Sequence, residues 1–205
     1  MVAETKAAHP DRPVEVWAED EHRLGLKPVR RRVWARLAEG SVRRSRMEGQ
    51  AEGPIGGRPI ALGHHRDQWL HVTAFVQPTS GEAVWFLSIG LSKPLFEKLL
   101  AAFAREVGAG RARPVVLVLD NAGWHGPKGL VVPDGVTLVF LPPYSPELQP
   151  AERLWPLVDE PVANRHFATL GELDAVVAER CRRLDAAMIK PHTNFHWWPN
   201  SVQPS

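Results

Sequence analysis

The chain has one cysteine, no long apolar run and almost no net charge, and each absence excludes a class of protein. Cys181 alone among 205 residues excludes an internal disulfide and a cysteine-based metal site. Its place in a charged helical pattern gives it no nucleophile partner, so an inert thiol in a reducing, cytosolic setting is expected. The segment from Met1 to Arg12 is polar and lacks the apolar core of a secretory leader, and no later run approaches the roughly 18 residues needed to span a bilayer. Neither secretion nor a membrane span is expected. A formal net charge of +2 names no partner by itself. With 44% hydrophobic and 23% charged residues, the chain has the composition of one ordinary globular core, and no internal repeat is visible.

Charge is distributed unevenly. Nine basic residues fall between His22 and Arg46 (among them Arg23, Lys27, Arg30, Arg31, Arg32 and Arg36) against one acid, Glu39. A clustered basic stretch of this kind suits a polyanion such as the DNA backbone, although a solvated loop has the same composition. From Leu37 to Gly63 the chain is rich in Gly and Arg, with Pro54 and Pro59, and shows no apolar period, so a long loop is expected.

The remaining pattern predicts an α/β protein with a mixed sheet, an antiparallel hairpin joined to parallel strands, flanked by helices. Val14 to Glu21 alternates and reads as strand one. Trp69 to Val76 and Ala83 to Ile89 flank Pro78-Thr79-Ser80-Gly81 and read as a hairpin. Lys93 to Val107 has helical spacing, with Ser92 as N-cap and Gly108 beyond the end. Pro114 to Leu119 and Val136 to Leu141 are short apolar runs, as in strands covered on both faces. Helices are expected from about Pro150 to Asp159 and from Leu170 to Met188, and the tail from His192 shows no clear period. The expected organisation is one domain over 14–190, with a basic, glycine-rich loop at about 35–63 and tails at 1–13 and 191–205.

Three acids hold special positions: Asp20 at the expected end of strand one, Asp120 at the end of the buried strand, and Glu152 in the first turn after Pro150. Sites in open α/β sheets form at the carboxyl ends of strands, so these carboxylates can converge if their strands are neighbours. Hard oxygen donors favour Mg²⁺ or Mn²⁺. Two such ions about 3.5–4 Å apart suit in-line displacement at phosphorus.

The runs VWAEDEHRLGLKPVRRRVWA, GHHRDQWLHVTAFVQPTSG, VLVLDNAGWH, LPPYSPELQPAERLW and FHWWP resemble the catalytic domain of bacterial insertion-sequence transposases of the mariner-like DDE superfamily. The resemblance covers about Val14 to Pro199, and Asp20, Asp120 and Glu152 match its DDE triad. It implies an RNase H-like fold, Mg²⁺ dependence, cutting at transposon ends and joining of the freed 3′-hydroxyl to target DNA. It also implies DNA as partner, a homodimer in the synaptic complex, and a bacterial cytoplasmic location at the nucleoid. Relatives recognise their ends with a helix-turn-helix region, here expected from another segment or a separate chain. A host nuclease of the same fold and a DNA-binding remnant without activity are the alternatives. Two features depart from the family pattern: Gln149 stands where Asn is usual before the proline, and the interval from Trp34 to Arg58 is long.

Other residues divide between function and packing. Glu19 and Glu21 flank Asp20, but neighbours on a strand face opposite ways, so they are not expected to serve with it. Asn121 and His125 are expected as supporting residues, His125 either contacting a scissile phosphate or orienting a ligand. His64, His65 and His71 lack a fourth ligand and regular spacing for zinc. Trp197 and Trp198 receive no function, because a terminal aromatic pair usually packs on the core.

Overall fold

The structure is a computed structural model that describes residues 13–26, 29, 68–125, 129–143 and 145–199. Five strands form one sheet: β1 (Glu15–Gly25), β2 (Trp69–Gln77), β3 (Glu82–Ser88), β4 (Val115–Leu119) and β5 (Val136–Phe140). Their order is β3-β2-β1-β4-β5. β1–β2 and β2–β3 pair antiparallel, while β1–β4 and β4–β5 pair parallel. The expected mixed sheet, hairpin plus parallel strands with flanking helices, is therefore the observed one. β4 is buried along its whole length, as its unbroken apolar run requires.

Alternation on the strands feeds two cores. Trp17, Phe75, Leu117 and Leu119 face helix α1 (Lys93–Glu106), which buries Phe96, Leu100, Phe103 and Ala104 at helical spacing. Phe103 stacks on Phe75 at 4.3 Å and meets Trp17 edge-on at 5.2 Å. Each such side chain removed from water contributes about 1.5–3 kcal/mol. Val16, Ala18, Val72, Val116 and Val118 face the other layer, made by α2 (Trp155–Asp159), α3 (Leu170–Arg183) and α4 (Ala186–Thr193). Among the described residues no helix is long and apolar enough to cross a membrane.

The hairpin turn depends on Gly81, whose φ of +86° is open to glycine. Its N–H donates to the Gln77 carbonyl at 2.8 Å. A Cβ there would also lie 2.3 Å from the Ala186 carbonyl oxygen, because the hairpin tip docks on α4.

Three elements differ from the sequence expectation. β1 runs four residues beyond Glu21, to Gly25, because its β2 side stays paired to Gly25↔Trp69. The segment after Pro150 is a 3₁₀ helix to Leu154 before α2 begins. Pro156 has no N–H to give the Glu152 carbonyl four residues back, and the Trp155 N–H takes that carbonyl at three-residue spacing instead. The single helix expected from Leu170 to Met188 is two helices. Leu184 leaves helical geometry with ψ of 96°, and Asp185 caps α4 by accepting from the Met188 N–H at 2.9 Å. The apolar period misled here, since Met188 is 39% exposed while Ile189 is buried. α4 continues to Thr193, and Trp198 is buried against the core.

Cys181 is buried on α3, and burial pushes its thiol up to about 12. At pH 8 its thiolate fraction is then on the order of one in ten thousand. Ellman's reagent is expected to find no reactive thiol in the native protein and one in guanidinium. Rapid native labelling would contradict this burial.

Candidate active site

The parallel register of β1 and β4 builds the site. Glu15↔Val115 through Ala18↔Val118 keep a constant offset, which puts Asp20 level with Asp120 just past the last pair. The expectation that Asp20 ends strand one is corrected: it lies inside β1, between Glu15 and Gly25. Its freedom comes from β4, which stops at Leu119 and uncovers that side of β1 while β2 remains paired. The relevant strand end is therefore that of β4.

Asp20, Asp120 and Glu152 line one cleft of about 380 Å³, together with Asn121, Ser145 and Gln149. Asp20 is held by the Trp155 indole, whose Nε1 donates to Oδ2 at 2.8 Å. Burial, then Glu21 and Glu152, push the Asp20 carboxyl up to about 7, with the Trp155 hydrogen bond opposing. Glu152, on the 3₁₀ turn, is raised first by burial and then by Asp120 and Glu147, with Arg153 opposing. Asp120, half exposed, lies below its ordinary value, chiefly through its hydrogen bond to His125 and further through the Ala122 N–H.

Gln149 ties the Glu152 turn to β1. Its Oε1 accepts from the Ala151 N–H at a long 3.4 Å, and its Nε2 donates to the Glu19 carbonyl at 2.8 Å. The Gln in place of Asn thus gives a weak cap but adds an anchor to the strand. Asn121 links the ends of the two parallel strands, its Nδ2 donating to the Leu141 carbonyl at 2.6 Å.

Behind the cleft lies a second layer. As alternation requires, Glu19 and Glu21 face the side opposite Asp20, where they meet His125. His125 is fully buried, with Nδ1 2.9 Å from Asp120 Oδ1 and Nε2 3.0 Å from Glu21 Oε1 and 3.4 Å from Glu19 Oε2. Burial alone would lower its pKa, but the hydrogen bonds to Asp120 and Glu21 and the charge of Glu19 raise it to about 10. With a carboxylate oxygen against each nitrogen, the ring is placed to donate from both. Burial above all, then Glu21, raises the Glu19 carboxyl. Glu19, Glu21 and His125 also present ligand atoms within 4.8 Å of one another.

Sequence reasoning missed Trp155 and this layer. The signal for Trp155 was its spacing, three residues after Glu152, and an indole N–H that needs a partner once buried. His22 completes its setting, stacking on Trp155 at 5.0 Å and pairing with Asp159 at 2.9 Å. Of the basic residues, Arg23 is exposed with its guanidinium 4.3 Å over the Trp69 ring, and Lys27, Arg30, Arg31, Arg32 and Arg36 lie outside the described residues. His64 and His65 also lie outside them, and His71 belongs to no ligand cluster among the described residues.

Residues 15–174 match the sequence profile of the DDE superfamily endonuclease. The chain belongs to that family. This DDE endonuclease is also similar to the uncharacterized protein y4pE/y4sA of Sinorhizobium fredii, at 34% identity over 124 residues, which is 60% of this chain and 88% of the relative. Its fold resembles that of Mos1 transposase in a paired-end complex with the left transposon end. That TM-score is 0.56 at 13% identity, over 94% of this chain and 54% of Mos1. A Mos1 mariner paired-end complex with Mn gives 0.57 at 13% identity, over 87% and 51%. The chain thus spans about half the length of the Mos1 chains it matches. The RNase H-like fold expected from the sequence is the one that this likeness shows.

Proposed function

We propose that this DDE endonuclease is the catalytic core of a bacterial insertion-sequence transposase, cutting DNA at the element's ends and joining them to a target. The observation that carries the proposal is one cleft lined by Asp20, Asp120 and Glu152, contributed by three distant parts of the chain. The Mos1 complexes with transposon-end DNA and with Mn or Mg support it by analogy of fold.

The donor set fits a hard divalent cation. The three acids offer only oxygens, and burial raises two of them, Asp20 further through Glu21 and Glu152, and Glu152 further through Asp120 and Glu147, as happens where carboxylates crowd. Asp20, Asp120 and Glu152 would hold Mg²⁺ or Mn²⁺, two ions in our reading. When bound, such ions activate an attacking water or 3′-hydroxyl and stabilise the leaving oxygen. The protein's own task is placement. Trp155 orients Asp20, the Gln149 anchor holds the Glu152 turn against β1, and Asn121 braces the mouth of the cleft.

Arg23, with Lys27, Arg30, Arg31, Arg32 and Arg36, would neutralise DNA phosphates. Pairing of two ends calls for a homodimer, and end recognition for a helix-turn-helix region elsewhere or on another chain.

The experiment supplies purified protein with a labelled, precleaved end duplex bearing a 3′-hydroxyl, a supercoiled target plasmid, and Mg²⁺ or Mn²⁺. Joined product that EDTA abolishes is expected, with binding that weakens steeply as salt rises. Hydrolysis of the plasmid without joining would overturn the transposase reading, and joining undiminished by EDTA would overturn the metal assignment.

A further inference from the structure

The fully buried imidazole of His125 sits directly behind one of the three cleft acids. Two N–H donors, Ala122 N at 2.8 Å and His125 Nδ1 at 2.9 Å, converge on the same oxygen of Asp120, Oδ1. The ring has no freedom to turn away: Glu21 at 3.0 Å and Glu19 at 3.4 Å hold Nε2, and Phe96 packs on the ring with centroids 4.4 Å apart. Both glutamates come from β1, the strand that carries Asp20 on its other face. One ladder of side chains therefore runs from β1 through the imidazole to the end of β4, on the face away from the cleft.

We propose that His125 is a positioning residue for Asp120: braced by Glu21 and Glu19, it engages Oδ1 through Nδ1 and leaves Oδ2 to serve as the cation ligand. The proposal rests on reading Asp120 as a ligand of a divalent cation. A carboxylate held by one oxygen loses little freedom when the other takes up an ion. Such outer partners of metal ligands typically affect metal affinity by about 10–100-fold.

The role belongs to one ring nitrogen, which separates positioning from packing. Asn places an amide N–H near the site of Nδ1, whereas Gln places one near the site of Nε2. Both replacements disturb the buried ring, so a merely structural residue would respond alike to the two.

The test is Mn²⁺ binding by the full chain without DNA, read from the electron paramagnetic resonance signal of free Mn²⁺, with circular dichroism to confirm folding. His125→Gln is expected to weaken binding about 10–100-fold, and His125→Asn to stay within several-fold of the unmutated protein. His125→Ala should behave like His125→Gln, but the Asn and Gln pair decides the matter if the Ala variant fails to fold. Equal affinity across the Asn and Gln variants, whether lost or retained, overturns the positioning role. Asp120→Asn separates the two layers of argument, because undiminished Mn²⁺ binding in that variant would refute the ligand reading itself.

Discussion

Asp120→Asn is expected to lower DNA joining and cleavage by about a thousandfold or more while leaving the fold and DNA affinity nearly unchanged. The substitution is close to isosteric, and an amide oxygen can still accept from the Ala122 and His125 donors that hold Asp120 now. The side chain is half exposed, so little packing is at risk. What disappears is a negative charge at the point where β1 and β4 part. Metal ions stabilise transition-state charge by several kcal/mol, and about 4 kcal/mol corresponds to a thousandfold in rate. Product formation on labelled end DNA, beside circular dichroism and a mobility shift, measures all three quantities. Activity within tenfold of the unmutated protein would mean that Asp120 is no ligand.

Asp20→Asn is expected to stabilise the metal-free protein even as it removes activity. Asp20 is half-buried in the cleft, and desolvation there with the nearby Glu21 and Glu152 raises it from the ordinary 3.8 to about 7. The folded state thus binds a proton that the unfolded state has already released. Stability is lost as pH rises from about 4 to about 7, and the full penalty is present at pH 8. Asn keeps an acceptor for the Trp155 indole and carries no charge. The gain at pH 8 in EDTA should be about 2–4 kcal/mol, or roughly 5–10 °C in melting temperature. It should vanish near pH 4, where the unmutated carboxyl is protonated. A lower melting temperature for Asp20→Asn at pH 8 would show that the charge is already compensated within the fold. Sites shaped for function commonly carry such a cost.

Much of this was legible in the residues, because the informative patterns were local. An unbroken apolar run marks β4, Pro-Thr-Ser-Gly marks the hairpin turn, and Phe96, Leu100 and Phe103 mark the buried face of α1, whereas β5, expected to be covered on both faces, is the edge of the sheet with Thr137 exposed and only Val136 buried. Asp120 and Glu152 stood out because each lies beside an element boundary or a proline, whereas Asp20 lies inside β1 and reaches the cleft only because β4 stops at Leu119. Other features depend on partners distant in sequence. That β1 continues past Asp20 follows from its pairing with β2, more than forty residues later. The break at Leu184 was hidden by an apolar spacing that carries across it, and only the Asp185 cap marks it. The second layer was the least visible. Alternation correctly put Glu19 and Glu21 on the face away from Asp20, yet nothing local shows that His125 lies against them across 104 and more residues.

The most direct test of the central claim is a crystal of the protein soaked with Mn²⁺ and measured at the manganese absorption edge. Anomalous peaks inside the cleft, within ligand distance of Asp20, Asp120 and Glu152, are the predicted result. A peak between Glu19, Glu21 and His125 with the cleft left empty would contradict it.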